Sequence, residues 1–177
     1  MPSTIALFAS SRRHGNTGRL IDRLATGTPI EVIDLAGRNL SAYDYEHRNR
    51  GDDFEALIGR VLEFDQVIFA SPVYWYAVSP PMKVFIDRLS DLLDLDDLRE
   101  QGRRLRGKMA FVACTSVCNE AAPSFVGALC ETFSYLGMRF GGLLHANCVD
   151  GYEAQKYEPD IRRFIERLAS DAARAYT

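Results

Sequence analysis

The sequence predicts an α/β fold in which a five-stranded parallel sheet carries helices on both faces, with the strands in the order 2-1-3-4-5. Five apolar runs alternate with five amphipathic helical stripes along the 177 residues. Most of these runs are apolar throughout, as strands buried on both faces of a parallel sheet are. Two strand orders are common for such a chain, and the order 2-1-3-4-5 places two unusual loops, which follow the first and third strands, side by side.

The size and composition favour one domain. A chain of 177 residues with 47% hydrophobic content can bury a sizeable core. Because no linker interrupts the pattern, we expect a single domain over residues 1–177. The net charge of −3, without a long basic run, does not suggest a nucleic-acid or membrane-surface partner. The composition therefore favours a small soluble molecule as the partner.

The cysteines and the N-terminal sequence predict a cytoplasmic location. The four cysteines are Cys114, Cys118, Cys130 and Cys148. They lack C-x-x-C spacing, and a chain of this length does not need a disulfide framework, so we expect reduced thiols. The chain enters a strand within a few residues without a signal-peptide pattern, and no apolar run approaches membrane-spanning length.

The first half of the chain is predicted to hold three strands and two helices. The strands are Thr4–Ala9, Ile30–Leu35 and Asp65–Ala70, and the second alternates in the way of an edge strand. The helical stripes are Leu20, Ile21 and Leu24, then Phe54, Leu57, Ile58, Val61 and Leu62. Asp52 and Glu55 resemble a capping box for the second helix. The polar segment 36–53 is predicted to be a solvated loop that packs one tyrosine.

The second half continues the alternation. Met109–Cys114 is the fourth strand, and a fifth lies within Met138–Val149. Ser79 is predicted to cap the third helix, and the last helix begins near Lys156. The helical stripes are Met82, Phe85, Ile86 and Leu89; Phe125, Val126, Leu129, Cys130, Phe133 and Leu136, closed by Gly137; and Ile161, Phe164, Ile165, Leu168 and Ala172. The charged segment 91–108 bunches four arginines, for which a solvated connection is favoured over a phosphate site.

The loop after the first strand has the composition of an anion site. Residues 10–17 supply hydroxyl groups, an amide, two guanidinium groups and one glycine immediately before a helix start. Unpaired N–H groups and the positive dipole end of that helix attract phosphate, and Arg12 or Arg13 can neutralise its charge. The alternative is an ordinary turn in which Asn16 or Thr17 caps the helix.

The loop after the third strand is rich in aromatic residues. Tyr74, Trp75 and Tyr76 follow one another within residues 71–81. Three such side chains cannot all enter one core from a loop, so at least one should meet solvent, a second subunit or a flat ligand. For Trp75 considered alone, packing within the protein is favoured over contact with a ligand. Its position beyond the carboxyl end of a strand that lies beside the first favours a functional role.

The two loops together offer what flavin mononucleotide (FMN) requires. In the strand order 2-1-3-4-5 they flank one crevice at the switch point of the sheet. One loop provides a cradle for a phosphate dianion, and the other provides a slot for a flat ring system with polar edges. A dinucleotide site is disfavoured because no G-x-G-x-x-G motif follows the first strand, and a Walker A loop is absent from the sequence.

These motifs resemble those of the flavodoxin-like NAD(P)H-dependent FMN reductases and quinone reductases. Residues 10–17 (SSRRHGNT) are similar to the family's phosphate loop, and residues 71–75 (SPVYW) to its isoalloxazine loop. Residues 83–88 (KVFIDR) and 106–108 (RGK) match further family patterns in order along the chain. The chain carries Ala9 where the family usually has Gly, and its loop after the fourth strand is not Gly-rich as it is in many members.

The resemblance implies a flavodoxin-like three-layer sandwich that binds FMN and is reduced by NADPH or NADH. The implied cofactor-binding residues are Ser10, Arg12, Gly15, Asn16 and Thr17 for the phosphate, and Pro72, Val73, Tyr74, Trp75, Thr115 and Ser116 for the ring. Trp75 and Tyr76 would border the substrate. We expect neither a catalytic side-chain acid or base nor a metal, because the flavin carries the chemistry.

The predicted function is hydride transfer from NADPH or NADH through FMN to a quinone, flavin, azo or nitro acceptor. The resemblance also implies a homodimer or homotetramer. The alternative from another class is a flavodoxin-like electron carrier that docks on redox partner proteins, which the weak net charge disfavours. A third possibility is a binding module that has lost flavin.

Overall fold

The computed structural model describes residues 2–174, with side chains to residue 170. The strands are β1 (Thr4–Phe8), β2 (Ile30–Asp34), β3 (Gln66–Pro72), β4 (Met109–Ser116) and β5 (Arg139–Asn147). The helices are α1 (Asn16–Ala25), α2 (Phe54–Leu62), α3 (Pro80–Arg88), α4 (Asp91–Asp94), α5 (Arg99–Arg103), α6 (Pro123–Tyr135) and α7 (Ala154–Arg174), and a 3-10 turn covers Leu35–Gly37.

All five strands are parallel, and their order is β2-β1-β3-β4-β5. The predicted flavodoxin-like order is therefore confirmed. β1 and β3 pair directly, from Thr4 opposite Gln66 to Phe8 opposite Ala70. The two loops that the sequence singled out consequently start next to each other at the carboxyl edge of the sheet.

Apolar layers cover both faces of the sheet, as the continuous apolar strands predict. The residues of β1 are all buried: Ile5 and Leu7 face one layer, and Ala6 and Phe8 face the other. The first layer is completed by α2, α3 and α6, and the second by α1 and α7. The predicted packing of Ala172 on the last helix lies outside the described side chains.

Two local predictions need correction. Segment 91–108 is not a bare connection, because α4 and α5 form in it and bury Leu92, Leu98 and Leu105 against the first layer. These leucines are spaced among charges and give no helical stripe long enough to predict. Strands β3 and β4 also run two residues further than the apolar runs did. The ladder reaches Val73, whose N–H donates to the carbonyl oxygen of Thr115 at 2.9 Å.

The polar segment before α2 is anchored by a buried ion cluster rather than only solvated. Arg88 at the end of α3 is 1% exposed, and its Nε donates to Asp91 Oδ2 at 2.7 Å. Its Nη1 donates to Asp52 and, at 3.2 Å, to the carbonyl oxygen of Ser41. The guanidinium also lies 4.6 Å from the ring centroid of Phe54. Asp52, predicted to belong to a capping box, accepts the N–H of Phe54 at the start of α2 at 3.0 Å, and its hydrogen bond from Arg88 also fixes the segment to α3.

Candidate active site

A cavity of about 370 Å³ opens at the carboxyl ends of β1, β3 and β4. This volume lies within the range of small-molecule sites in proteins. The predicted cofactor-binding residues all line it: Ser10, Arg12, Gly15, Asn16, Thr17, Pro72, Val73, Tyr74, Trp75, Thr115 and Ser116. Tyr76 also lines it, so the structure brings every predicted site residue to one place.

The start of α1 presents unpaired donors to this cavity. The first intrahelical bond runs from the N–H of Arg19 to the carbonyl oxygen of Gly15 at 3.0 Å. Within residues 2–174, no acceptor pairs with the N–H groups of Asn16, Thr17 and Gly18. The alternative in which Asn16 or Thr17 caps the helix is wrong, because Gly15 is the N-cap and has no side chain that could occupy these donors. The positive end of the helix dipole therefore faces the cavity.

The loop is folded tightly onto the helix that follows it. A Cβ atom added to Gly18 would lie 1.8 Å from the carbonyl oxygen of Arg13, and one added to Gly15 would lie 3.2 Å from that of Arg12. The close approach at Gly18 needs a residue without a side chain. It fixes the direction in which the free N–H groups point.

The two adjacent arginines have different surroundings. Arg13 turns away from the cavity: it forms two hydrogen bonds to Asp22, at 2.6 and 3.0 Å, and its guanidinium lies 5.2 Å from the ring centroid of Phe8. Arg12 lines the cavity, and no carboxylate lies within 4.0 Å of its guanidinium in the described part of the chain. Arg12 is therefore the arginine that can meet an anion there.

Two hydroxyl groups join α1 to β4 at the floor of the cavity. Thr17 Oγ1 and Thr115 Oγ1 lie 2.6 Å apart, and both residues are buried. One hydroxyl must donate to the other, so one O–H remains free to donate to a ligand. Ser10, also buried, accepts the N–H of Arg12 at 3.4 Å and keeps its own proton for donation.

The aromatic residues sit at the tip of a tight hairpin. Tyr74 and Ala77 exchange backbone hydrogen bonds of 2.9 and 3.0 Å. Trp75 and Tyr76 between them have φ of 49° and 63°, the backbone of a type I′ turn, which usually takes Asn-Gly. Left-handed backbone costs a bulky residue roughly 1–2 kcal/mol. Trp75 is nevertheless 94% exposed, so core packing does not explain why an aromatic occupies this position.

Two serines that the sequence did not single out for this role hold the loops together. Ser71 Oγ accepts the N–H of Ser79 at 2.9 Å, and Ser79 Oγ donates to the carbonyl oxygen of Ala9 at 2.8 Å. Ser79 is the N-cap of α3 as predicted, but its side chain bonds to the end of β1 instead of to the helix. Ala9 continues the ladder, because its N–H donates to the carbonyl oxygen of Ala70 at 2.9 Å.

The third wall of the cavity follows β4. Ser116 Oγ accepts the N–H of Cys118 at 3.1 Å and lies 2.8 Å from His145 Nε2 on β5. Burial lowers the pKa of His145, although Glu120 acts in the opposite direction. At neutral pH the imidazole is therefore neutral and can accept the proton of Ser116.

Sequence reasoning missed five further residues that line the cavity. They are Val117, Cys118, Glu120, Ala122 and Cys148. The first three follow the carboxyl end of β4, and that position could have identified them. Cys148 could not be found, because it depends on the register of β5. Its pKa is raised by burial, so it is a neutral thiol at physiological pH.

The sequence profile of one protein family, described as NADPH-dependent FMN reductase, matches residues 2–144. The chain belongs to the NADPH-dependent FMN reductase family. As a family member it is an NAD(P)H-dependent oxidoreductase whose cofactor is FMN. The match spans the loops after β1, β3 and β4, which supply almost all of the cavity.

Individual proteins similar to this family member agree with the assignment. It is 29% identical over 140 residues to YwqN of Bacillus subtilis, named as an NAD(P)H-dependent FMN-containing oxidoreductase, covering 75% of this chain and 77% of YwqN. The solved structure of the Trp repressor binding protein of Bacillus subtilis has a TM-score of 0.64 and 26% identity over 80% of this chain and 83% of that one. An NADPH-quinone reductase from P. pentosaceus shares the fold, with a TM-score of 0.65 and 15% identity over 94% and 96%.

The donor set of the cavity fits FMN. Free backbone N–H groups, hydroxyl groups and an arginine without a carboxylate partner suit a phosphate dianion. Tyr74, Trp75 and the backbone around them offer flat surface at the other end. The chemistry of the cavity lining therefore suits both the charged end and the ring of FMN.

Other predicted features lie outside this site. The arginines of segment 91–108 do not line the cavity: Arg99 pairs with Asp96 at 2.7 Å, and Arg103 pairs with Glu100 at 3.3 Å. Within residues 2–174, no group of three or more His, Cys, Asp or Glu side chains is placed to hold a metal ion. No helix in that range is both long and apolar enough to cross a membrane. The cytoplasmic location stays a prediction.

Proposed function

We propose that this cavity binds FMN and catalyses hydride transfer from NADPH or NADH to a flat acceptor, which is a quinone, a flavin, an azo compound or a nitro compound. The observation that carries the proposal is that one cavity joins free N–H donors and Arg12 at one end to the exposed aromatic hairpin at the other. When bound, FMN supplies the hydride chemistry.

The protein's part is to bind and orient. The N–H groups at the start of α1, with Ser10 and Arg12, would hold the phosphate. Pro72, Val73 and Tyr74 on one side, and Thr115 and Ser116 on the other, would fix the edges of the ring. The N–H groups of Trp75 and Tyr76 have no acceptor among the described residues and can donate to its polar edge. This arrangement leaves space next to the hairpin for nicotinamide and then for the acceptor.

Anaerobic reduction tests the proposal. The purified protein loaded with FMN is expected to lose its flavin absorbance when NADPH or NADH is added, and to regain it when a quinone follows. An electron carrier of the flavodoxin type would instead be reduced only by a partner protein and would show no direct reaction with the nicotinamide. Failure to bind FMN at all would favour the binding-module alternative.

Changing Trp75 to Ala is expected to alter acceptor selectivity without loss of flavin. Because the side chain is 94% exposed, its removal takes no contact from the core, and Tm should stay close to the wild-type value. Loss of stacking against an acceptor typically costs about 0.5–1.5 kcal/mol, which raises KM by different factors for acceptors of different size. Steady-state kinetics with a small and a large quinone measure this.

Tyr135→Ala is the matched control, because Tyr135 is also exposed but does not line the cavity. It should leave KM unchanged for both quinones. A large fall in Tm for Trp75→Ala, with an equal loss of activity for all acceptors, would show that Trp75 stabilises the fold and does not select the acceptor.

We further propose that the chain self-associates, most simply as a dimer, through the face that carries the cavity. Trp75, Tyr76 and Val117 are all more than half exposed around its mouth. Aromatic contacts within the described chain pair Tyr43 with Tyr45 and Tyr152 with Tyr157, and none involves the hairpin. An exposed cluster of this kind is typical of a protein interface.

Light scattering at micromolar concentration tests self-association. We expect a dimer or tetramer for the wild type and a shift toward monomer for Trp75→Ala/Tyr76→Ala. A fully active wild-type monomer would contradict the proposal.

A further inference from the structure

A second cavity, separate from the proposed FMN cavity, lies along the open edge of the sheet. We call it the edge groove. Among the described residues, β5 is an edge strand that pairs only with β4, and α7 runs beside it. The groove is lined by Asn119, Leu143, Leu144, His145, Asn147, Lys156, Tyr157, Asp160, Arg163, Phe164 and Arg167. Its volume of about 530 Å³ exceeds that of the FMN cavity.

The charged side chains of the edge groove are predominantly cationic. Lys156, Arg163 and Arg167 come from α7 at spacings of seven and four residues, which place them on one side of the helix. Asp160, the acidic residue of this lining, is paired with Arg163. The lining therefore carries three positive charges against one negative charge, which suits a phosphorylated ligand.

Arg167 is held across the edge of the strand. A Cβ atom added to Gly142, whose φ is 152°, would lie 2.7 Å from Arg167 Nη1. Because Gly142 has no side chain, the guanidinium group of Arg167 can lie over the strand at this point. The bulge of the ladder between Ala110 and Phe111 lies opposite this part of β5.

Only a thin wall separates the edge groove from the FMN cavity. Ser116 of the cavity lies 2.8 Å from Nε2 of His145 in the groove. Asn119 and Asn147 line the groove, while their neighbours Cys118 and Cys148 line the cavity. Asn147 Nδ2 donates to Asn119 Oδ1 at 2.9 Å, which ties the two segments of the wall together.

We propose that the edge groove binds the 2′-phosphorylated adenosine end of NADPH while its nicotinamide lies in the FMN cavity. This inference rests on the proposed function and adds the residues that select NADPH over NADH. A dinucleotide whose nicotinamide reaches the flavin must place its adenosine outside the FMN cavity, and the edge groove is adjacent and cationic. Lys156, Arg163 and Arg167 all lie beyond residue 144, outside the segment that matches the family.

Binding of adenosine 2′,5′-bisphosphate to the FMN-loaded protein tests the proposal. Calorimetry should show that this probe binds, that NADPH displaces it, and that 5′-AMP binds more weakly. The double variant Lys156→Gln/Arg163→Gln should bind the probe about tenfold more weakly than the wild type does. The same variant should raise KM for NADPH and leave KM for NADH and the affinity for FMN unchanged.

Arg162→Gln is the matched control, because Arg162 is an exposed neighbour on α7 that does not line the groove. It should bind the probe as the wild type does. Arg167→Gln provides a second variant with the same expected loss, and Tm confirms that each variant is folded.

Wild-type affinity for the probe in both groove variants would overturn the inference, as would an equal rise in KM for NADPH and NADH. In either case NADH would still reduce the bound flavin, so the proposed function would stand. Failure of the wild-type protein to bind FMN or to be reduced would instead count against the proposed function.

Discussion

Replacing Arg88 by Ala is expected to destabilise the folded protein by about 3–5 kcal/mol, because it removes the guanidinium group that two buried carboxylates share. Asp52 and Asp91 are both nearly inaccessible and both accept from this guanidinium. The substitution also frees the segment that Arg88 holds through the carbonyl oxygen of Ser41. Urea unfolding followed by circular dichroism measures the change in the free energy of unfolding.

Arg60→Ala is the control for this experiment. Arg60 also pairs with two carboxylates, Glu31 and Glu63, but these pairs are solvent-exposed and should contribute far less. Arg88→Lys should recover only part of the loss, since an ammonium group cannot fork between Asp52 and Asp91 as a guanidinium does. Equal effects of Arg88→Ala and Arg60→Ala would show that the buried cluster does not stabilise the fold.

The same cluster makes stability depend on pH. Burial disfavours the charged form of Asp52, but hydrogen bonds from Arg88 and from two backbone N–H groups outweigh this and lower its pKa. A lowered pKa in the folded state means that the stabilisation is present above the unfolded pKa of about 3.9 and is lost as pH falls through the folded value. Arg88→Ala should remove the contribution of Arg88 to this acid sensitivity, while the two backbone hydrogen bonds to Asp52 remain.

Arg12→Ala is expected to weaken FMN binding by about 1–3 kcal/mol, because a charge-assisted hydrogen bond to the phosphate is lost. Arg13→Ala is the matched control: the residue is adjacent, but its guanidinium is engaged by Asp22 outside the cavity. Fluorescence-quenching titrations of the apoprotein measure both affinities. Excess FMN should restore most of the activity of Arg12→Ala.

Similar losses for the two arginine variants would mean that the effect is a general one of charge near α1. A loss confined to Arg13→Ala would place the phosphate elsewhere. Either result would contradict the position of the phosphate at Arg12.

The strand order and the position of the cavity were predictable because both follow from two general rules for parallel sheets. Continuous apolar runs such as Thr4–Phe8 mark strands buried on both faces, and parallel strands deliver the loops that follow them to one edge. Loops 10–17 and 71–76 could therefore be placed together although some 60 residues separate them in sequence. The three consecutive aromatic residues indicated a site at the same edge, because one loop cannot bury all three side chains in the core.

Features that depend on tertiary contacts could not be predicted. The cap at Gly15 depends on how loop 10–15 folds over Gly18, which propensities do not encode. The role of Arg88 depends on Asp52, 36 residues away, approaching α3. The edge groove depends on the register of β5 and on which side of α7 faces it, and the sequence bounded β5 only loosely. In each case the residue types were visible, but their partners were not.

A comparison of FMN with riboflavin tests the central claim most directly, because the two ligands differ only in the phosphate. The apoprotein should bind FMN much more tightly than riboflavin, and Arg12→Ala should reduce the affinity for FMN while leaving that for riboflavin unchanged. Equal affinity of the wild-type protein for the two ligands would contradict the assignment of the phosphate to the start of α1.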